Sequence, residues 1–196
     1  YMITEAVRGN GAILINRDGK RFTNEIGTRD VVSEAILEQE KQTVFILFDE
    51  TVKESLKAID GYIKMGLTTE GESIEDLAKK LEINAENLKS TVEVYNAYVD
   101  AKEDKEFSRP DMPIKLEKAK YYAIEIGPAI HHTMGGLKIN TKAQVLNTNG
   151  DIISGLYAAG EVVGGVHGGN RLGGNALADI IIFGRIAGKT AVEDIN

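Results

Sequence analysis

The sequence predicts an α+β protein of two parts. Short apolar runs such as residues 43–50 alternate with segments whose apolar residues recur at helical spacing, which indicates strands and helices in one chain. Glycine becomes dense after Gly135, where the character of the sequence changes. The 196 residues are enough for one large domain or two small ones. We place the change within residues 115–130 and expect domains at 1–118 and 119–196.

Composition narrows the function classes. The formal net charge of −7 argues against a broad nucleic-acid interface, so no nucleic-acid partner is expected. The chain has no cysteine, which excludes disulfides, thiolate metal sites and a cysteine nucleophile. No apolar run approaches the roughly 20 residues of a membrane span. Tyr1 is not an initiator methionine, so we expect a piece of a longer protein.

The first elements follow from turn and cap chemistry. Residues 11–24 predict a hairpin, because an apolar run meets the tight-turn pair Asp18-Gly19 and a second short strand follows. Thr28 can cap a helix at about 29–40. One side of that helix carries Val32, Ala35, Ile36 and Gln39.

A buried strand and two capped helices come next. The continuous apolar run 43–50 predicts the strand. Ser73, with Asp76 three residues later, resembles a capping box and begins a helix that reaches about residue 81. Asn84 caps the following helix, whose recurring apolar residues are Leu88, Val92, Tyr95 and Val99.

The remaining predicted elements are a loop, two strands and a helix. Residues 101–113 are charged and contain two prolines, which predicts a loop. Residues 121–126 alternate like a strand, and 155–161 predict a short strand that ends in a tight turn. Residues 175–190 predict an apolar helix.

The glycine-rich segment before that helix has the properties of an anion site. Glycines let backbone N–H groups approach a ligand, and the start of a helix near Gly174 presents free N–H groups and a positive dipole end. The alternative is that these glycines serve only tight turns and close packing. Arg171 offers a rigid fork of donors for a carboxylate, although a surface arginine is the simpler interpretation.

A metal site is not predicted. His131 and His132 are adjacent, and neighbouring side chains in an extended strand point to opposite faces. His167 is the one further histidine, and no carboxylate spacing completes a ligand set, so we treat it as structural.

Taken together, several stretches resemble the flavoprotein fumarate reductase family, of the soluble fumarate reductase and flavocytochrome c type. The resemblance runs over nearly the whole chain, and the ordered set is far more specific than any single member. The stretches are TEAVR (4–8), GAILINRDGKRFTNE (11–25), TRD (28–30), HHTMGG (131–136), GLYAAGE (155–161) and GGVHGGNRLGGNAL (164–177). The resemblance implies a capping domain at 1–118, followed by the C-terminal segment of a Rossmann-like FAD-binding domain at 119–196.

The sequence departs from the family in one respect. The family's FAD-binding domain begins with a βαβ unit that carries G-x-G-x-x-G, and this chain contains no such fingerprint. We therefore expect that the N-terminal βαβ unit is absent, that FAD belongs to the full-length parent, and that this fragment binds it weakly or not at all. The implied partners are the N-terminal FAD-binding portion of the same protein and an external electron donor. The compartment stays open between bacterial cytoplasm and periplasm or cell envelope.

The resemblance also implies a reaction, the reduction of the C=C bond of fumarate to succinate. In the family a hydride comes from flavin N5 and a proton from an arginine. Arg29 matches that proton donor, and Glu5 and Arg8 match a relay that leads to it. Arginine is normally too weak an acid for this task, but it can serve if the alkene carbon becomes strongly basic.

The other matched residues would bind the small dicarboxylate substrate and the cofactor. Arg171 and His131 match residues that grip one substrate carboxylate, and Thr4 and Glu5 match residues at the other end. A glutamate beside a carboxylate requires a shared proton. The matched flavin contacts are His132, Glu161, Ala176 and Leu177.

Three alternatives remain at the level of sequence. A related enzyme could reduce another enoate, of the urocanate or acrylate type, and succinate oxidation is the same chemistry in reverse. The chain could also be a non-catalytic capping module that docks on a separate FAD-binding chain. A free-standing phosphate-binding domain would leave Thr4, Glu5, Arg8 and Arg29 without a role, so we rank it last.

Overall fold

The structure is a computed structural model that describes residues 1–195, and it divides into two compact units. Unit 1 spans residues 1–128, and unit 2 begins at Ala129. The division lies within the predicted region 115–130 but after the boundary chosen at residue 118. The physical reason is that the strand at 121–126 completes the sheet of unit 1.

Unit 1 is built on a four-stranded sheet of the order β1-β2-β4-β3, in which all neighbours are antiparallel. The second strand is buried along its whole length, which explains its continuous apolar sequence. The bounds are Ile13–Ile15 (β1), Val44–Asp49 (β2), Thr68–Gly71 (β3) and Tyr121–Ile126 (β4).

Six helices accompany this sheet and close one hydrophobic core. Their bounds are Ala6–Gly9 (α1), Arg29–Leu37 (α2), Glu50–Ser55 (α3), Ala58–Lys64 (α4), Ile74–Leu81 (α5) and Ala85–Ala101 (α6). A short 3₁₀ turn, Glu40–Gln42, follows α2. The predicted mixture of helices and strands is therefore confirmed.

Two of the three helix caps predicted from local chemistry are confirmed. The Ser73 hydroxyl accepts a hydrogen bond from the Asp76 backbone N–H at 3.1 Å, and the Asn84 side chain accepts one from the Asn87 N–H at 2.9 Å. Thr28 occupies the N-cap position of α2 without a side-chain cap bond to the backbone.

The predicted hairpin at 11–24 is wrong in its second strand. The turn forms, because the Asn16 side chain accepts bonds from the Asp18 and Lys20 N–H groups. After it the chain leaves the sheet, since Arg21 and Glu25 enter a buried ion-pair network. The partner of β1 is β2 instead.

Unit 2 has a two-stranded antiparallel sheet and one long helix. The elements are Gln144–Leu146 (β5), Ile152–Tyr157 (β6) and Asn175–Glu193 (α7). The predicted strand at 155–161 is thus displaced toward β6, and residues 160–162 form a 3₁₀ turn. The apolar core of this unit is small and consists of Val145, Ala158 and Val163. Within residues 1–195, no helix combines the length and apolar character that a membrane crossing requires.

Candidate active site

In unit 1 the structure brings together three of the residues that the sequence marks for proton transfer. Arg29, the first residue of α2, donates from Nε to Glu5 Oε1 at 2.5 Å and from Nη2 to Glu5 Oε2 at 3.0 Å. Glu5 precedes α1, and Arg8 Nη2 lies 3.8 Å from the same Oε1. The carboxylate of Glu5 therefore joins the two guanidinium groups, an arrangement that could pass a proton between them.

The Arg8 side chain differs from Arg29 in its surroundings. Arg8 is 13% exposed and Arg29 is 38% exposed. Burial lowers the pKa of the Arg8 guanidinium, against the opposing effect of the Glu5 and Glu25 carboxylates. A guanidinium with a lowered pKa gives up a proton more readily than a solvated one, which suits a relay.

Thr4 lies at the start of the same segment. Its backbone N–H donates to the hydroxyl of Tyr62 at 3.0 Å, and its own hydroxyl accepts from the Ala6 N–H at 3.4 Å. These contacts fix the approach of the chain to α1, while Glu5 stays half exposed.

A buried network of charges that the sequence analysis missed lies behind α1. Its members are Arg21, Glu25, Asp104 and Arg109, whose side chains are 2% exposed or less. Arg21 binds Glu25 through two bonds of 2.7 and 2.8 Å and Asp104 at 2.8 Å, and both arginines face the ring of Tyr95. The one signal in the sequence is the i, i+4 spacing of Arg21 and Glu25, and nothing marks Arg109, in a proline-containing loop, as buried.

In unit 2 the predicted cofactor residues His132 and Glu161 lie side by side. His132 Nδ1 is 3.8 Å from Glu161 Oε2, and the other carboxylate oxygen accepts from the Thr133 N–H at 3.0 Å. His131 is exposed. Glu161 is 54% exposed, so its carboxylate can accept further hydrogen bonds from hydroxyl groups of a ligand.

His167 has a defined partner that the sequence did not reveal. Its Nε2 lies 3.0 Å from Oδ2 of Asp179 on α7, and its ring meets the ring of His132 edge-on at 5.7 Å. The Asp179 side chain is 4% exposed. The pair connects the glycine-rich segment to the second turn of α7.

Two glycines show how the glycine-rich stretches are used. A Cβ on Gly136 would lie 2.3 Å from the Val162 carbonyl oxygen, so HHTMGG and residues 160–164 pack backbone to backbone. Gly174 adopts φ +81° at the start of α7, and a Cβ there would meet no atom within 4 Å. Gly136 is therefore required by close backbone packing, whereas Gly174 leaves open space at the start of a helix.

The start of α7 presents the positive end of a long helix, which favours an anionic ligand. No side chain caps it, but the Asn175 and Leu177 N–H groups donate to the Leu172 and Gly174 carbonyls at 3.3 and 3.1 Å. Ala176 and Leu177 lie in this first turn, and Leu177 is 65% exposed. Arg171 is buried in the loop before it, and its Nη1 donates to the Leu172 carbonyl at 3.0 Å. Over residues 1–195, no cluster of three or more histidine and carboxylate side chains could hold a metal ion.

Comparison with known proteins identifies relatives over nearly the whole chain. A family model described as "FAD binding domain" matches residues 1–177. The chain is 53% identical over 192 residues to "Fumarate reductase (cytochrome)" of Shewanella frigidimarina, covering 98% of this chain and 34% of that protein. It is 46% identical over 186 residues to "NADH:acrylate oxidoreductase" of Vibrio harveyi, covering 92% of this chain and 18% of that protein.

A solved structure agrees with these relatives. The open conformation of a flavocytochrome c3 fumarate reductase superposes with a TM-score of 0.77 at 48% identity, over 98% of this chain and 34% of that one. The chain thus spans about a third of the length of the fumarate reductases it matches. The roles assigned to single residues stay predictions.

Proposed function

The chain belongs to the FAD binding domain family and is similar to fumarate reductases of that family, and on this basis we propose that it is part of an enzyme that reduces fumarate to succinate. The cofactor of the family is FAD. The observation that carries the proposal is the contact of Glu5 with both Arg29 and Arg8. Three residues assigned to proton delivery, from two separate sequence stretches, meet within one unit.

The residues of unit 2 fit the cofactor. His132, Glu161 and the first turn of α7, with Ala176 and Leu177, would hold it. Glu161 offers an acceptor for hydroxyl groups, and the positive dipole end of α7 would stabilise a negatively charged edge. When bound, reduced FAD supplies a hydride to one alkene carbon.

The residues of unit 1 would deliver the proton to the other carbon. The Arg29 guanidinium would give up a proton as that carbon becomes basic. The Glu5 carboxylate would then take a proton from Arg8, which the lowered pKa of Arg8 favours, and pass it to Arg29, to which it is already bonded. The Glu5 carboxylate thereby serves two neighbours in turn.

Two groups would bind the carboxylates of the substrate. Arg171 and His131 would grip one end, and the Arg171 fork would stabilise negative charge that develops as the hydride arrives. Thr4 and Glu5 would face the other end. Because the chain offers groups for both ends of the substrate, a dicarboxylate is favoured over a monocarboxylate.

Two alternative functions are each supported by one observation. A related enoate reductase, acting on an acrylate or urocanate type of acid, would use the same proton and cofactor residues and differ at the far carboxylate, and the Vibrio harveyi relative favours this variant. A capping module that docks on a separate FAD-binding chain is favoured by the apolar side chains that unit 2 exposes on α7 and β6. In either case we propose the remaining FAD-binding portion and an external electron donor as partners.

Two measurements test the proposal. The first is the visible absorption spectrum of this chain and of the complete protein, and the second is fumarate-dependent oxidation of a reduced dye. A colourless chain beside a yellow protein that reduces fumarate supports the proposal. A yellow protein that ignores fumarate moves the substrate to another enoate, and a colourless complete protein removes the flavoenzyme and favours the docking module.

A further inference from the structure

We propose that Arg109 and Glu25 are positioning residues for the Glu5–Arg8–Arg29 chain, and this inference rests on the function proposed above. Neither residue hydrogen-bonds to Glu5, the centre of that chain. Each instead holds the backbone or side chain of α1, which carries Arg8 and follows Glu5.

Helix α1 cannot hold its own shape. It has four residues, and a helix this short lacks the hydrogen bonds that offset the entropy of nucleation. The position of Glu5 relative to Arg29 therefore depends on what the rest of unit 1 does to α1. Val7 anchors one side through complete burial.

Arg109 anchors the other end of α1. Its Nη2 donates to the Arg8 carbonyl at 2.8 Å, and its Nη1 donates to the Ala12 carbonyl at 3.0 Å. Its Nε donates to the Asp111 carbonyl at 2.8 Å, and Nη1 also lies 3.2 Å from Glu25 Oε2. The guanidinium fork thus binds one carbonyl in the last turn of α1, that of Arg8, and one just beyond the helix, that of Ala12.

Glu25 completes the connection from the network to the Arg8 side chain. Its backbone carbonyl accepts from Arg8 Nη1 at 2.8 Å, while its carboxylate is held by Arg21 and Arg109. Arg8 is therefore fixed from two sides, at its backbone by Arg109 and at its guanidinium by Glu25. This leaves Nη2 of Arg8 directed at Glu5.

Burial alone does not account for this arrangement. Buried ion networks can often be replaced by apolar residues without loss of stability, so stability is a weak reason for four buried charges. Arg21 is no independent comparison, because it holds the Glu25 carboxylate through two bonds. Arg17 supplies one, since it pairs with Glu125 and Thr43 in the same unit and lies outside the network.

The first test compares Arg109→Lys with Arg17→Lys in the 196-residue chain by amide hydrogen exchange. A lysine ammonium cannot span the fork, so Arg109→Lys should raise exchange at the Gly9 and Asn10 amides about tenfold. These amides donate to the carbonyls of Glu5 and Ala6. Arg17→Lys should change them less than about twofold, and thermal unfolding confirms that both variants fold.

The second test uses the complete flavoprotein with FAD bound. Arg109→Lys should lower kcat for fumarate by about tenfold, with a larger solvent isotope effect and KM changed less than about twofold, because proton delivery loses its alignment. Arg17→Lys should keep the kcat of the unmodified enzyme. Equal effects of the two variants on exchange and on kcat would overturn the inference. A wild-type protein that does not reduce fumarate would contradict the proposed function, while the exchange comparison would still decide the role of Arg109.

Discussion

Glu5 contributes little to stability through the contacts that define it. It is 49% exposed and Arg29 is 38% exposed, and ion pairs of this kind contribute at most about 1 kcal/mol in water. An arginine at the first position of a helix is also disfavoured by the helix dipole. The pairing of Arg29 with Glu5 is therefore better explained by chemistry than by folding.

Arg29→Ala provides the direct test of that explanation. In the complete flavoprotein we expect fumarate reduction to fall by a factor on the order of 10³, because the proton donor is lost, while the FAD absorption spectrum stays the same. Turnover with a reduced dye and the FAD content per chain are the measurements. Arg17→Ala, which removes an arginine paired with Glu125 in the same unit, is the control and should retain activity. Retained turnover in Arg29→Ala would remove Arg29 as the donor.

Asp104 makes unfolding depend on pH. Burial raises the pKa of its carboxyl, but the hydrogen bond and charge of Arg21 together with the Phe107 N–H hold that pKa below its usual value. A lowered folded-state pKa stabilises the protein above about pH 4, and the stabilisation is lost as the pH falls through the folded value. Asp104→Asn should thus lower the free energy of unfolding at pH 7 by about 3 kcal/mol, and the gap to wild type should narrow toward pH 2.

The control for this prediction is Asp100→Asn. Asp100 pairs with Lys115 at 2.7 Å but is 64% exposed, so its substitution should change the free energy of unfolding by less than about 1 kcal/mol. Urea unfolding followed from pH 7 to pH 2 gives both curves. A gap between Asp104→Asn and wild type that stays constant over this range would contradict the assigned role of Asp104.

At the scale of elements, the sequence predicts what local chemistry decides. β2 is predictable because burial on both faces requires a continuous apolar run, and the caps at Ser73 and Asn84 depend on residues three positions away. α1, α3, α4 and β3 are missed because each has four to seven residues and gains its stability from tertiary contacts rather than from a periodic pattern. The second hairpin strand fails for the same reason, since Arg21 and Glu25 find partners far along the chain.

The residues of the candidate site are likewise predictable from the sequence only in part. Arg29, Glu5 and Arg8 could be named from stretches that resemble a family, and their mutual contact is visible only in the fold. Arg109 and Asp179 carry no local signal, because an isolated charged residue predicts exposure on general grounds. Their burial follows from partners that lie well away in sequence, as with Arg109 and Glu25.

Asp49 shows how one side chain can organise two elements. It is completely buried at the end of β2 and accepts backbone bonds from Thr51 and Val52, which begin α3, at 2.9 and 3.1 Å. It also accepts from the Glu117 and Lys118 N–H groups at 3.1 and 2.9 Å, in the segment that leads to β4. The carboxylate thereby fixes the start of a helix and the entry to a central strand.

Asp49→Ala should accordingly be more damaging than the loss of an ordinary cap. Four backbone donors lose a completely buried acceptor, so we expect the free energy of unfolding to fall by about 3–5 kcal/mol. Ser73→Ala, which removes the cap bond to one backbone N–H of α5, should cost only about 1 kcal/mol. Thermal or urea unfolding of the two variants decides the matter, and equal losses would contradict this account of Asp49.

At the scale of the whole molecule, the two units differ in how they bury apolar side chains. Unit 1 has an extensive core, whereas the core of unit 2 consists of three small residues. Unit 2 exposes a set of large apolar side chains on α7 and β6, namely Leu177, Ile180, Ile181, Ile182, Ile152, Ile153 and Leu156. Exposed apolar side chains in this number indicate an interaction site in soluble proteins. We propose that the remaining part of the flavoprotein packs on them.

Ile181→Asp tests this interpretation. Ile181 is 59% exposed in this chain, and we expect the complete flavoprotein to bury it against its remaining FAD-binding portion. A buried aspartate would cost several kcal/mol there, so the purified variant should contain less FAD per chain, as read from visible absorption. In the 196-residue chain alone, the same substitution should instead reduce the binding of a hydrophobic dye and leave the unfolding temperature unchanged. Met65→Asp, at a residue of unit 1 that is 42% exposed, is the matched control and should retain full FAD. Equal FAD content in the two variants would show that the α7 face is not the surface on which the cofactor-binding portion packs.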